Sequence, residues 1–310
     1  MALNRRSFIQ QVAMSVPAVT VLTSLAKGAE APQSALARDA NVPGAGRGLG
    51  RGAGRGTGGG GGQDPQMAGS PVGSQLPGQK WLAHDRNRPQ PRKVTPGQPI
   101  PTPSAPSDAI VLFDGKDLSQ WTGGGRGGAA SEPRWRIVDG HMEMSGGLVT
   151  KESFGDIQLH LEWMIPTGID ASRVGQQRGN SGIIFMGQYE VQVLSSYDNI
   201  TYADGGAGGI YGVYPPMVNP CMPEGQWNTY EFVFEAPKFD GEKLVKPAFI
   251  TLLFNGLVVH NKAELLGVTS RNPIATYSPH APELPLTLQG HVGPAWYRNV
   301  WVRRLKGYDA

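Results

Sequence analysis

Carboxylate, imidazole and amide side chains alternate with apolar residues along three short segments of this 310-residue sequence. The pairs, in chain order, are His160 and Glu162, Glu190 and Gln192, and Gln289 and His291. Carboxylates and imidazoles transfer protons, whereas amides exchange hydrogen bonds with hydroxyl groups. These residue types predict proton-transfer chemistry on a hydroxyl-rich ligand.

Aromatic residues are frequent in the segments between these pairs, at Tyr197, Tyr202, Tyr211, Tyr214, Trp296 and Tyr297. Aromatic rings stack on the apolar C–H faces of sugars, while neighbouring amides and carboxylates bind the hydroxyls. The combination favours a carbohydrate ligand.

The spacing of the polar pairs is that of β-strands. In 157–165, Leu159, Leu161 and Trp163 share one face, and His160 and Glu162 lie on the other. If the three polar strands are neighbours, their pairs form one polar surface. The alternative is that each pair belongs to the solvated outer face of an antiparallel strand.

Short alternating segments separated by turns continue through the C-terminal two thirds of the chain. Predicted strands are 135–144, 157–165, 181–186, 189–194, 229–235, 247–254, 257–260, 285–291 and 297–305. Asn255-Gly256 and Asp139-Gly140 are tight-hairpin signals. This pattern predicts an all-β fold, a jelly-roll β-sandwich.

Composition divides the chain into three parts. We predict a signal at 1–31, a disordered linker rich in Gly, Arg and Pro at 32–107, and one folded domain at 108–310. Residues 1–107 hold 12 Lys/Arg against 4 Asp/Glu, and residues 108–310 hold 16 against 21. Because the basic charge belongs to the linker, we expect no nucleic-acid partner, although the Arg/Gly tract at 44–56 is also compatible with RNA binding.

The N-terminus resembles a twin-arginine export signal. Arg5 and Arg6 precede a modest apolar stretch that is too short to span a bilayer. We therefore expect a periplasmic or secreted protein without a transmembrane span in its mature form. Cys221 is the single cysteine, which excludes an intrachain disulfide, a cysteine-based zinc finger and a redox pair.

Four motifs in 108–310 resemble the DUF1080 family, also called the 3-keto-disaccharide hydrolase domain family. They are LFDGKDLSQW at 112–121, GNSGIIFMGQYEVQVLSS at 179–196, GGIYGVYPP at 208–216 and LQGHVGPAWYRNVWVRRL at 288–305. The resemblance implies a concanavalin-like jelly roll that cleaves glycosides whose C3 hydroxyl is oxidised to a ketone. Val292, between His291 and Gly293, departs from the family pattern, so the following loop and the aglycone preference are expected to differ.

The resemblance implies a set of site residues. Motif-bound positions map onto Asn180, Ser181, Tyr189, Glu190, Gln192, Tyr211, Gln289, His291 and Arg298, and Glu162 occupies a position that is commonly Glu. We predict three catalytic residues, His291, Glu190 and Glu162. We predict that seven residues bind substrate, namely Asn180, Gln192, Tyr211, Gln289, Arg298, His160 and Trp296.

A C3 ketone acidifies the C2 hydrogen, because its loss gives an enolate that can expel the C1 substituent. In this hypothesis His291 or Glu190 takes the C2 proton, and a partner among Glu162, His160 and Glu190 assists the leaving group. A divalent metal ion could replace the hydrogen-bond donor at the ketone oxygen, although no metal-binding motif demands one.

Two other functions remain open. One is a conventional glycoside hydrolase, which needs two carboxylates at the scissile bond. The other is a non-catalytic carbohydrate-binding module, because one fold serves many functions. In each case the expected partner is an oligosaccharide or small glycoside, and the protein is expected to be a monomer.

Overall fold

The structure, a computed structural model, describes residues 73–97, 104–124, 129–270 and 276–307. The predicted signal at 1–31, the Arg/Gly tract and the first part of the predicted linker lie outside these residues. No helix in the described ranges is long and apolar enough to cross a membrane.

Seventeen strands and two short 3-10 helices make up the described part. The strands are β1 (Arg92–Lys93), β2 (Ile110–Phe113), β3 (Trp121–Gly123), β4 (Arg136–Val138), β5 (His141–Glu143), β6 (Leu148–Phe154), β7 (Ile157–Met164), β8 (Asn180–Phe185), β9 (Tyr189–Val193), β10 (Val218–Asn219), β11 (Asn228–Glu235), β12 (Lys238–Asp240), β13 (Lys243–Lys246), β14 (Phe249–Phe254), β15 (Leu257–Glu264), β16 (Leu284–Val292) and β17 (Trp296–Arg304). The 3-10 helices are Gly175–Gln177 and Ala203–Gly205.

Two antiparallel sheets form a sandwich. The larger has the strand order β15-β14-β11-β7-β17-β5-β4, with β2 also paired to β17, and the five-stranded sheet has the order β3-β6-β16-β8-β9. Aromatic side chains from the two sheets meet between them, as Phe185 of β8 does with Phe232 and Phe234 of β11. The all-β jelly-roll prediction is confirmed.

The two hairpin signals fold as predicted. Asn255 and Gly256 both have positive φ, 50° and 79°, and join β14 to β15. Asp139 and Gly140, with φ of 46° and 76°, join β4 to β5. Paired positive φ values suit the right-handed twist of hairpin strands, which explains the preference for Asn-Gly and Asp-Gly.

The prediction of a single polar surface is wrong. β9 and β16 flank β8 in the five-stranded sheet, whereas β7, which carries His160 and Glu162, lies in the larger sheet. The alternating pattern correctly gave the face of each strand, because Leu159, Leu161 and Trp163 are in the core. Periodicity does not specify the sheet to which a strand belongs, so the polar faces of the two sheets point away from each other.

The prediction that the linker extends to residue 107 is also wrong for part of its length. Residues 73–97 pack against the sandwich, and we call this segment the strap. Its short strand β1 pairs in parallel with β10. Leu76 and Ala83 of the strap are buried.

Candidate active site

The outer face of the five-stranded sheet carries six of the predicted site residues. Across three neighbouring strands that end at the edge strand β9, Gln289 of β16 pairs with Gly182 of β8, and Gly182 pairs with Gln192 of β9. Directly paired residues direct their side chains to the same face of a sheet. Two amides therefore flank a position without a side chain, which leaves a hollow in the sheet surface.

Glu190 fills part of this hollow. A Cβ atom at Gly182 would lie 2.6 Å from the Glu190 carboxylate oxygen Oε1, so the carboxylate lies directly over this glycine. Glu190 is buried, with 6% of its surface exposed. Strands β8, β9 and β16 contain no other Asp or Glu.

Tyr211 extends the same face beyond the edge of the sheet. Its backbone N–H donates to the carbonyl of Glu190 (3.1 Å), and Ile210 bridges to Val191. Ile210 and Val191 are in the core, so the following residue, Tyr211, directs its side chain to the outer face beside Glu190. The Tyr211 ring is half-buried, and its hydroxyl lies 2.7 Å from that of Tyr202.

His291 lies at an irregularity of β16. The register of the pairing with β8 shifts between Gly290, opposite Ser181, and Val292, opposite Asn180, and His291 lies at this shift. A β-bulge of this kind re-aims a side chain and is common beside active sites. His291 is exposed and stands at the rim of the face, whereas Glu190 lies near its centre.

A network of buried amides supports the site. Gln176, on the first 3-10 helix, accepts hydrogen bonds from Gln192 (3.0 Å) and Asn180 (2.9 Å), and its own amide donates to the carbonyl of Gly205 (2.8 Å). Gln192 Oε1 is buried and has no hydrogen-bond partner within the described ranges. This oxygen is an acceptor that a substrate hydroxyl can satisfy.

The other predicted site residues form a separate cluster on the outer face of the larger sheet. Glu162 accepts hydrogen bonds from Arg298 Nε (2.7 Å) and Asn299 Nδ2 (3.2 Å), and His160 lies between Glu162 and Glu231. Burial alone would raise the pKa of Glu162, but hydrogen bonds from His160, Arg298 and Asn299 outweigh it and lower the pKa to about 2. Glu162 is therefore a carboxylate at neutral pH and is poorly suited to act as an acid.

The aromatic residues of that face pair among themselves. Trp296 stacks on His141 with ring centroids 4.4 Å apart, and the Arg298 guanidinium lies 4.2 Å above the centroid of the Trp227 ring. His160 stacks on Trp301 at 5.0 Å. The structure thus separates Glu162, His160, Arg298 and Trp296 from the six residues on the five-stranded sheet, with the core between the two groups.

A divalent-cation site would need several metal-ligating side chains close together. No group of three His, Cys, Asp or Glu side chains within the described residues comes together to hold a metal ion.

Sequence reasoning missed several residues that shape the site. Gln176 lies in a loop without periodicity, and Gly182 is one of several glycines in the 179–196 motif, although its missing side chain makes room for Glu190. His84, in the strap, is buried against Tyr202 and Tyr211, with ring centroids 4.4 and 4.9 Å away. In the sequence, His84 is only a histidine within a proline-rich segment, and nothing else marks it as part of a site.

Comparison with known proteins shows the family to which this chain belongs. Residues 108–303 match the model of the 3-keto-alpha-glucoside-1,2-lyase-like domain. The chain belongs to this family. The DUF1080 resemblance of the four motifs is confirmed, and no curated protein sequence matches the chain.

Solved structures similar to this chain include one described as a glycosyl hydrolase from Parabacteroides distasonis. It is 38% identical, with a TM-score of 0.61, over 74% of this chain and 99% of that one. A second such protein from the same organism is 18% identical, with a TM-score of 0.46, over 64% and 94% of the two chains. The carbohydrate-binding module CBM66 from Bacillus subtilis is 12% identical, with a TM-score of 0.33, over 59% and 95%.

The first of these matches extends ahead of the family domain. Seventy-four per cent of the chain is about 229 residues, whereas residues 108–310 number only 203. At least about 26 residues before residue 108 therefore have counterparts in the Parabacteroides protein.

Proposed function

We propose that the protein is an exported enzyme that cleaves 3-keto-glycosides by removing the C2 proton and eliminating the substituent at C1. The observation that carries this proposal is Glu190, the one carboxylate of strands β8, β9 and β16, set over Gly182 between amides on the face that holds His291 and Tyr211. Family membership supports the substrate class. The twin arginines Arg5 and Arg6 support export.

Glu190 is the base in this proposal. Its carboxylate takes the C2 hydrogen as a proton, and the C2–H electron pair forms the C2=C3 bond of an enolate. Negative charge moves to the C3 oxygen, where the amide N–H groups of Gln289 can donate hydrogen bonds, whereas the Asn180 amide donates to Gln176 and supports the site from below. Tyr211 stacks on the sugar ring, beside the base.

His291 assists the leaving group. The enolate electrons return to form a C1=C2 bond as the C1–O bond breaks, and the departing oxygen takes a proton from His291. Its exposed position at the rim of the face supports this role, because an aglycone that points toward solvent would leave from there. Addition of water across C1=C2 then converts the elimination product into the 3-keto sugar, which gives net hydrolysis.

A conventional retaining glycosidase fits this face poorly. That mechanism uses two carboxyl groups about 5 Å apart, one as nucleophile and one as acid. Strands β8, β9 and β16 supply Glu190 alone. Elimination needs only one carboxylate, provided that the ketone acidifies the C2 hydrogen.

The proposal is tested by product analysis after incubation with a 3-keto-glucoside and with its unoxidised parent. We expect an unsaturated or hydrated 3-keto sugar together with free aglycone from the first substrate, and no reaction with the second. Equal cleavage of both substrates would establish a conventional glycosidase. Binding of the 3-keto-glucoside without products would establish a binding module.

The role of His291 predicts a dependence on the leaving group. His291→Ala should lower kcat by about 10²-fold or more for an alkyl 3-keto-glucoside, the scale of general acid catalysis. The same variant should retain nearly full kcat for a nitrophenyl 3-keto-glucoside, whose leaving group needs no proton. Steady-state rates with both substrates check this, and an equal loss with both would remove His291 from the acid role.

A further inference from the structure

We propose that the strap is part of the sugar site, and that His84 and Arg88 are positioning residues for Tyr211. The inference rests on the proposed function for its substrate, and on the contacts of the strap for its geometry. The strap precedes the family domain, which begins at residue 108, so the family model does not include it.

Tyr211 lies in the loop 201–214, which runs along the free edge of β9. Gly208 N–H donates to the carbonyl of Gln192, and Gln192 N–H donates to that of Gly209, both at 2.9 Å. These bonds and the one from Tyr211 to Glu190 fix the loop backbone to the strand that bears the proposed base. Any displacement of the loop therefore moves Tyr211 relative to Glu190.

The strap holds the opposite side of this loop. His84 N–H donates to Asp204 Oδ2 (2.9 Å), Arg88 Nη1 to the carbonyl of Val213 (2.9 Å) and Gln90 Nε2 to that of Thr201 (2.6 Å). The three bonds reach the loop at its beginning, at its 3-10 helix and near its end. The loop is thus clamped between β9 and the strap.

The His84 ring packs beneath Tyr202 and Tyr211, whose hydroxyl groups are hydrogen-bonded to each other. It is 1% exposed, and a Cβ atom at Gly212, where φ is +74°, would lie 3.2 Å from its Cε1 atom. Gly212 allows both the left-handed backbone and the close approach of the imidazole. Removing the ring leaves a void directly beneath Tyr202 and Tyr211.

Charge also ties the strap to the loop. Asp204 is fully buried, with Arg88 Nη1 3.8 Å and His84 Nδ1 3.5 Å from its carboxylate oxygens. Burial lowers the pKa of Arg88, and the nearby Asp204 carboxylate opposes this effect. A buried carboxylate that loses its partners is strongly destabilised, so the loop keeps this conformation only while the strap is in place.

The test uses the full chain with Arg88→Ala and His84→Ala. Tyr211 is proposed to contact the sugar in the ground state and the transition state alike, so loss of its position should raise KM about tenfold with kcat changed less than threefold. Hydrogen exchange of the amides in 201–214 should accelerate at least tenfold, because the loop opens locally. Arg303→Ala, which removes an arginine that binds Asp108 near the start of the family domain, is the matched control and should change neither quantity.

Two milder variants keep the proposal testable if the alanine variants do not fold. His84→Phe keeps a ring beneath the tyrosines and the backbone bond to Asp204 but loses the imidazole contact with that carboxylate, and Arg88→Lys keeps the charge, so each should give an intermediate rise in KM. Unchanged KM and unchanged exchange in the variants that fold would overturn the proposal. Faster exchange with unchanged KM would also overturn it, because the strap would then be structural only.

The exchange measurement separates this proposal from the proposed function. If the wild-type protein does not turn over a 3-keto-glucoside, the proposed function fails, whereas the strap still has to control exchange in 201–214. In that case the dissociation constant of the unoxidised glucoside is measured instead of KM. Equal affinity of the wild-type protein and Arg88→Ala for that ligand would overturn the positioning role.

Discussion

At the residue scale, two carboxylates with similar sequence surroundings have different environments. Glu190 lies over a glycine among amides, whereas Glu162 accepts hydrogen bonds from Arg298 and Asn299 and borders His160. The partners of Glu162 lower its pKa to about 2 and occupy its oxygens. The first carboxylate is therefore the one that we propose as the base, whereas the second is held in an ion pair on the larger sheet.

The position of Glu190 depends on Gly182. Gly182→Ala would put a methyl group 2.6 Å from Oε1, which the side chain can relieve only by moving off the hollow. A displacement of about 1 Å at a reacting group can cost on the order of 10²-fold in rate. We expect kcat/KM for a 3-keto-glucoside to fall by about that factor, with thermal stability changed by only a few degrees.

The matched control for this substitution is Gly307→Ala, because a Cβ atom at Gly307 meets nothing within 4 Å. It should leave both kcat/KM and stability unchanged. Wild-type activity in Gly182→Ala would show that the Glu190 carboxylate does not need its place over residue 182, and would argue against its role as base.

At the element scale, loop 201–214 is held by the five-stranded sheet, by the strap and by β15. His260 of β15 is fully buried and donates from Nε2 to the carbonyl of Gly208 (2.7 Å). Burial lowers the pKa of His260 to about 4, and the hydrogen bond to Gly208 opposes this only in part. The histidine is therefore neutral in the folded protein and joins the larger sheet to the loop.

The lowered pKa of His260 makes stability depend on pH. The unfolded chain binds a proton at this residue below about pH 6.5, whereas the folded protein binds it only near pH 4. Its contribution is complete above pH 6.5 and is lost as the pH falls toward 4. Between pH 6.5 and 5 the wild-type protein should lose about 2 kcal/mol of unfolding free energy from this residue.

His260→Gln should remove that part of the pH dependence while keeping an amide donor near Gly208. Urea unfolding at pH 6.5 and pH 5 measures the difference. His280→Gln, which replaces a half-buried histidine, is the control. It should lose as much unfolding free energy between pH 6.5 and pH 5 as the wild-type protein does. If His260→Gln lost as much unfolding free energy as the wild-type protein, His260 would not titrate as the structure implies.

At the scale of the whole molecule, alternation and turn residues were sufficient to predict the fold. Asn255-Gly256 and Asp139-Gly140 specified local hairpins, and the face of each polar strand was correct. The assignment of β7 to the larger sheet depends on long-range pairing with β11 and β17, which no local pattern encodes. For this reason the predicted site combined residues from two opposite faces.

The strap was missed for a related reason. Its composition, rich in polar residues and proline, is typical of a linker. What fixes it is the burial of a few residues, Leu76, Ala83 and His84, together with hydrogen bonds to the loop 201–214, which lies more than 100 residues away in sequence. Composition describes the average of a segment, whereas packing depends on individual positions.

The central claim is that catalysis takes place on the outer face of the five-stranded sheet. The most direct test compares kcat/KM of Glu190→Gln and Glu162→Gln on a 3-keto-glucoside, each normalised to the folded fraction. The account predicts a loss of at least about 10³-fold in Glu190→Gln, within the range of general base catalysis, and a change below about threefold in Glu162→Gln. Full activity in Glu190→Gln together with a large loss in Glu162→Gln would contradict it and place the reaction on the opposite sheet.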